Sequence, residues 1–111
     1  KRLYTRTFYN KPDFILDKDD NLFCNGYAIF CSKNIDGIQK ILNSIVMAYY
    51  IKKTSVEIEG NYQCYQKNFI ERFNIPKLSN SEWDYLNSEK DKVKIDNWLI
   101  KKYELRNKIL F

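Results

Sequence analysis

The sequence predicts an α+β fold, in which a small antiparallel sheet from the N-terminal third packs against a long helix and two or three shorter C-terminal helices. Residues 3–31 are rich in aromatic and β-branched residues divided by turn residues, which is typical of strands. After residue 36 the hydrophobic period changes from two to 3.6, which is typical of amphipathic helices. The 111 residues, 44% of them hydrophobic, are expected to form a single domain over 1–111.

The strand region begins with Leu3–Tyr9, which is rich in aromatic and β-branched residues. Residues 14–16 and 22–24 flank a polar stretch, and this arrangement predicts a hairpin. After the turn residues Asn25-Gly26, the continuous apolar run 27–31 is typical of a central strand covered on both faces. We therefore expect a three- or four-stranded antiparallel sheet.

The strongest helical pattern covers about residues 36–53, where apolar residues recur at three- and four-residue spacing. Asp36, followed three residues later by Gln39, predicts a capping box in its first turn. Lys52 and Lys53 suit its C-terminal end, where cations interact favourably with the helix dipole. The apolar stripe consists of Ile38, Ile41, Leu42, Ile45, Val46 and Tyr49.

Shorter helices are expected further along the chain. One covers 66–72 and ends before Pro76, because the residue preceding a proline is disfavoured in a helix. Ser79 or Ser81 begins the next, and the last covers 91–105. Besides Ile41, Leu42, Ile45 and Val46 of the long helix, the predicted core includes Trp83, Trp98 and Tyr103. Leu86 is expected on the same helix face as Trp83, and Ile95 and Leu99 on the same stripe as Trp98 and Tyr103.

The charge and the cysteine content indicate the kind of partner and the compartment to expect. The chain carries 19 basic and 14 acidic residues, a net charge of +5 that mildly favours an anionic partner. Three cysteines and no histidine give neither a zinc ligand set nor a disulfide framework, so we expect a reducing cytoplasm. No apolar run approaches the roughly 18 residues of a membrane span. The chain begins at Lys1 instead of a methionine, so we expect a piece of a larger protein.

Catalytic and metal-binding motifs are not expected in this chain. The stretch Asp17–Asn21 resembles the start of a calcium loop, but Leu22 and Ala28 occupy the positions that need glycine and glutamate. There is no histidine to act as a base, and the three glycines are too scattered for a phosphate-binding loop. We expect no cofactor and no catalytic activity in this chain alone.

A polar and aromatic stretch is the candidate DNA-binding element. Gly60 permits close backbone approach, and the following side chains can read base edges or contact phosphates. The alternative is an ordinary polar loop with two core tyrosines. Lys52 and Lys53 are further candidates for phosphate contacts, with stabilisation of the helix end as the alternative, and Arg6 lines either a DNA cleft or a solvated strand face. The candidates in the stretch are Gly60, Asn61, Tyr62, Gln63, Tyr65, Gln66 and Lys67.

The order of motifs between residues 27 and 77 resembles a known family. An apolar strand is followed by a helix with Ile41-Leu42-Asn43-Ser44, then by the polar stretch 60–67, and then by Phe69-Ile70 leading to Ile75-Pro76. This order is similar to that of the TaqI-like C-terminal specificity domain of adenine-specific DNA methyltransferases in restriction-modification systems. Asn43 and Ser44 belong to this pattern, and we expect them to make structural contacts instead of DNA contacts.

The resemblance implies a function that depends on another domain. Such domains follow an S-adenosylmethionine-dependent methyltransferase domain in the same chain, and together the two clamp double-stranded DNA while an adenine is flipped out. The catalytic Asn/Asp-Pro-Pro-Tyr/Phe motif is absent here, since Pro12 and Pro76 are isolated. S-adenosylmethionine binding and catalysis are therefore expected in the N-terminal methyltransferase domain. The alternative function is a docking module that packs on a methyltransferase or nuclease body with little DNA contact.

Overall fold

The computed structural model shows an α+β fold, as the sequence predicts. The structure describes residues 2–6, 8–17, 26–54, 57–58, 62–65 and 67–105. The strands are β1 (Arg2–Arg6), β2 (Phe8–Tyr9), β3 (Ile15–Asp17), β4 (Gly26–Phe30), β5 (Glu57–Ile58) and β6 (Tyr62–Cys64). The helices are α1 (Ile35–Leu42), α2 (Ile45–Thr54), α3 (Lys67–Ile70), α4 (Asn80–Ser88) and α5 (Lys92–Lys102).

The first sheet is antiparallel, with the strand order β3-β1-β4. Its central strand is β1, in which Leu3 and Thr5 are buried at alternate positions. Among the described strands β4 is an outer one, beside β1, and its last residue, Phe30, is 76% exposed. The prediction of a central strand covered on both faces at 27–31 is therefore wrong. A continuous apolar run does not by itself distinguish a central strand from an outer one. The predicted strand at 22–24 lies outside the described residues.

A second antiparallel sheet has the order β2-β6-β5 and was not predicted. Its strands have two or three residues each, too few for a recognisable hydrophobic period. The predicted strand Leu3–Tyr9 is divided between the two sheets, since β1 belongs to the first and β2 to the second. The second sheet brings the start of the chain next to residues 62–64.

The predicted helix 36–53 is two helices, with a break at Asn43 and Ser44. The Asn43 amide bonds to both backbone groups of Phe14: its Oδ1 accepts from the N–H at 2.6 Å, and its Nδ2 donates to the carbonyl oxygen at 3.0 Å. The Ser44 hydroxyl donates to the Ile41 carbonyl at 2.6 Å, which occupies an acceptor at the end of α1. The start of α2 is stabilised by Asp96, whose Oδ1 accepts from the Ile45 N–H at 3.0 Å.

The capping box predicted at Asp36 and Gln39 is also wrong. Asn34 is the N-cap residue of α1 and has a left-handed backbone with a φ of 59°, without a side-chain cap bond. Gln39 instead donates through Nε2 to the Phe14 carbonyl at 3.0 Å, so it holds α1 against the strand region. Asp36 remains in the first turn, where its charge favours the helix dipole.

The later helices agree with the sequence predictions. Ser79 caps α4 in a capping box with Glu82. Asp91 caps α5, and α3 ends well before Pro76. The last helix is slightly shorter than the predicted 91–105, because the chain turns at Glu104, which has a φ of 57°.

The core forms on both sides of α1 and α2. One cluster joins the first sheet to these helices, and its buried members are Leu3, Phe14, Leu42, Met47, Ile51, Tyr65 and Ile70. The other cluster joins them to α4 and α5 through Ile41, Val46, Leu86, Ile95 and Leu99. Of the remaining predicted core residues, Ile45, Trp83, Trp98 and Tyr103 are partly buried against the second cluster.

Candidate nucleic-acid interface

The predicted recognition stretch contains a strand, which was not predicted there, and the start of the helix that was predicted at 66–72. Tyr62 and Gln63 belong to β6, the middle strand of the second sheet, and Lys67 is the first residue of α3. The side chains of Tyr62 and Gln63 are not described, and Gly60, Asn61 and Gln66 lie outside the described residues. The backbone of β6 is engaged on both sides by strand pairing, so base contacts from this strand would have to come from its side chains.

Tyr65 is a core residue, which corrects the prediction that it contacts DNA. Its side chain is 1% exposed, and its ring meets the Phe14 ring edge to face, with 6.4 Å between the centroids. Burial raises the pKa of its hydroxyl far above the ordinary tyrosine value. The core alternative for this tyrosine is therefore correct.

Lys67 is exposed at the start of α3, beside the C-terminal half of α2. A hydrogen bond fixes the two helices together, because the Tyr50 hydroxyl donates to the Phe69 carbonyl at 2.8 Å. α2 also packs against β6. The structure thus brings Lys67 and the end of α2 to the same region of the molecule.

Lys52 and Lys53 lie in the last turn of α2, and both are exposed. The ammonium of Lys53 lies 5.8 Å from the centre of the Tyr49 ring, within the range of a cation–π contact. Their position at a helix C-terminus is stabilising in itself. The exposed ammonium of Lys53 is also accessible to an anionic ligand.

Arg6 stands at the end of β1, over the ring of Tyr9, with 4.1 Å between its guanidinium carbon and the ring centre. Arg6 also forms an ion pair with Asp13, with 3.5 Å between its Nη2 and the Asp13 Oδ2. The pairing of β2 with β6 places Tyr9 directly opposite Gln63. Arg6 is thereby brought next to the predicted recognition stretch, from which it is far removed in sequence.

An aromatic groove, which sequence reasoning missed, lies between α2, residues 72–74 and the end of α5. Its volume is about 560 Å³. The rings of Tyr50 and Phe73 meet edge to face at 5.1 Å, and those of Phe73 and Tyr103 are tilted at 5.8 Å. The lining residues are Val46, Tyr49, Tyr50, Lys53, Thr54, Arg72, Phe73, Asn74, Tyr103 and Leu105.

The aromatic groove is positively charged at its rim. Lys53 and Arg72 line it, and no carboxylate is among the described residues that do so. The Tyr103 hydroxyl donates to the Asn74 carbonyl at 2.6 Å, and burial raises its pKa well above the ordinary value. The fold, and no local sequence pattern, brings the adjacent residues Arg72 and Phe73 to Lys53.

Of the calcium-loop-like stretch Asp17–Asn21, the structure describes Asp17, and residues 18–21 lie outside the described residues. Asp17 is buried and forms an ion pair with Arg2, with 2.8 Å between its Oδ2 and the arginine Nε. Its carboxylate is therefore committed to the sheet. Among the described residues, no group of histidine, cysteine or acidic side chains is arranged to hold a metal ion, and no helix has the length and apolarity to cross a membrane.

Comparison of the chain with protein-family models, with curated protein sequences and with solved structures finds no match.

Proposed function

We propose that this chain is a target-recognition domain, which binds double-stranded DNA sequence-specifically as part of an S-adenosylmethionine-dependent, adenine-specific DNA methyltransferase. The proposal rests on the motif order shared with TaqI-like specificity domains in restriction-modification systems. One structural observation supports it: elements that are far apart in sequence and were each predicted to contact DNA converge around the second sheet.

The first step of this convergence is the pairing of β2 with β6. It brings the stack of Arg6 on Tyr9 beside the strand that contains Tyr62 and Gln63. An arginine held on an aromatic ring is oriented in advance, so it loses less side-chain entropy when it binds a phosphate.

The second step is the packing of α2 against both β6 and α3. Lys67 begins a helix that packs on α2, and α2 carries the exposed Lys52 and Lys53 in its last turn. Contacts from lysine and arginine to phosphates supply most of the non-specific affinity for DNA, and amide side chains supply contacts to base edges. The convergence therefore combines side chains suited to both kinds of contact.

The chemistry of methyl transfer is assigned to the partner domain in this proposal. S-adenosylmethionine supplies the methyl group there, and the present chain contributes to binding the DNA. A single side of such a clamp is expected to bind duplex DNA only weakly, with a dissociation constant in the micromolar range or higher.

The experiment is titration of fluorescent duplex DNA with the chain, followed by anisotropy between about 50 and 200 mM salt. The double variant Lys52→Ala/Lys53→Ala should weaken binding and reduce the log-log salt slope by about 0.9 for each phosphate contact that is lost. The control, Lys33→Ala/Lys94→Ala, removes the same charge from exposed positions outside the proposed surface. Equal effects of the two double variants would show that net charge alone drives the binding.

Phe30 favours the alternative function of a docking module. Its side chain is 76% exposed at the end of β4, and the Arg2 guanidinium carbon lies 6.0 Å from its ring centre. An exposed aromatic beside an arginine is typical of protein interfaces. If docking is the main function, Phe30→Ala in the full-length enzyme should lower methyl transfer, while the same change leaves DNA binding by this chain unaltered.

A further inference from the structure

We infer that the aromatic groove holds one unpaired DNA nucleotide, with the base against its tyrosine rings and the phosphate between Lys53 and Arg72. The inference rests on the proposed function, because it takes DNA as the ligand. It adds a ligand site that the duplex-binding surface does not require.

The size and rigidity of the groove suit a base. Its volume of about 560 Å³ lies within the roughly 300–1,000 Å³ of ligand pockets. Two of its rings are fixed by hydrogen bonds to backbone carbonyls, Tyr50 to Phe69 and Tyr103 to Asn74. Rings that are already held in place lose little entropy when a flat ligand stacks on them.

The charge of the groove selects the kind of ligand. The lining cations Lys53 and Arg72 are accompanied by no lining carboxylate among the described residues, so an anion is favoured over a cation. Stacking on aromatic rings combined with nearby cations is the usual way in which proteins bind unpaired nucleotides. A purely apolar ligand would make no use of Arg72, which is exposed at the rim.

The position of the groove connects it to the proposed DNA surface. Lys53 belongs both to the exposed end of α2 and to the groove lining. A duplex held by Lys52, Lys53 and Lys67 would therefore pass close to the rim. A nucleotide that leaves the helix at that point could enter without a second binding event.

The test compares two DNA probes of identical sequence, one fully paired and one with a single unpaired 2-aminopurine. The chain should bind the second probe about fivefold or more tightly than the first, and binding should quench the 2-aminopurine fluorescence. Tyr49→Leu keeps the groove apolar but removes a ring, and Arg72→Ala removes a rim cation. Both variants should abolish the preference and leave affinity for the paired probe within about twofold.

The matched control is Tyr85→Leu, which removes a ring that packs on Trp98 and does not line the groove. It should retain the preference. Equal binding of both probes by the unaltered chain, or a preference that survives in both groove variants, would overturn the inference and leave the proposed function standing. No binding of either probe would refute the proposed function, and the inference with it.

Discussion

Replacing Asn43 with alanine should destabilise the fold strongly, although the side chain is not part of the apolar core. The Asn43 amide makes two hydrogen bonds to the backbone of Phe14, at 2.6 and 3.0 Å. In Asn43→Ala the Phe14 carbonyl keeps its bond from Gln39, but the N–H loses the asparagine acceptor. A lost hydrogen bond costs about 0.5–1.5 kcal/mol, and a buried donor left unsatisfied costs about 1–3 kcal/mol.

The expected loss in the free energy of unfolding is therefore about 2–4 kcal/mol. This corresponds to a decrease in melting temperature of roughly 8–16 °C for a domain of this size. Urea unfolding, followed by the fluorescence of Trp83 and Trp98, measures the loss in the free energy of unfolding. The slope of this free energy against urea concentration should be unchanged. Asn97→Ala, an exposed change on α5, is the control and should cost less than about 0.5 kcal/mol. If the two variants are equally stable, Asn43 does not hold the strand region to the helices.

Three further changes test the packing and the electrostatics. Leu42→Ala should cost about 2–5 kcal/mol in chemical unfolding, because the side chain is 2% exposed in the first core cluster, and it should affect DNA binding only through unfolding. Gly37→Ala should lower the melting temperature, since its new Cβ would lie 2.8 Å from Asn87 Oδ1, an atom already bonded to the Gly37 N–H. An unchanged melting temperature would mean that the side chains of Asn87 and Trp83 shift at little cost. Hydrogen bonds from Lys102 and Ser79 lower the pKa of Glu82 below its ordinary 4.5. The ionised Glu82 therefore stabilises the fold above about pH 4.5, and this stabilisation is lost as the pH falls through the folded-state pKa. As the pH is lowered into the acid range, the melting temperature of Glu82→Gln should therefore decrease less steeply than that of the unaltered chain. Parallel curves for the two proteins would contradict this.

The sequence predicted those features that depend on neighbours along the chain. The helical stripe that includes Ile41 and Leu42 is buried, and Ser79 begins α4 because its capping partner lies three residues away. α3 also ends before Pro76, but its last residue is Ile70, and the proline restricts only Ile75.

The features that the sequence did not predict depend on contacts between distant residues. The break at Asn43 depends on its hydrogen bonds to Phe14, 29 residues earlier. The burial of Tyr65 depends on the same phenylalanine, and tyrosine occurs in cores and at surfaces alike. The aromatic groove combines three separate segments, so no local pattern could reveal that Lys53, Arg72 and Tyr103 lie together.

The central claim is that the stretch around β6 and the start of α3 recognises DNA. The most direct measurement compares the double variant Gln66→Ala/Lys67→Ala with the unaltered sequence in the full-length protein, recording both DNA affinity and melting temperature. Loss of a base contact costs about 1–3 kcal/mol of binding, whereas exposed polar changes usually shift stability by less than about 0.5 kcal/mol. We predict lower affinity or relaxed target choice, about fivefold or more, at a nearly unchanged melting temperature. A double variant that unfolds as easily as Leu42→Ala, yet binds DNA normally while folded, would contradict the claim and make this stretch structural.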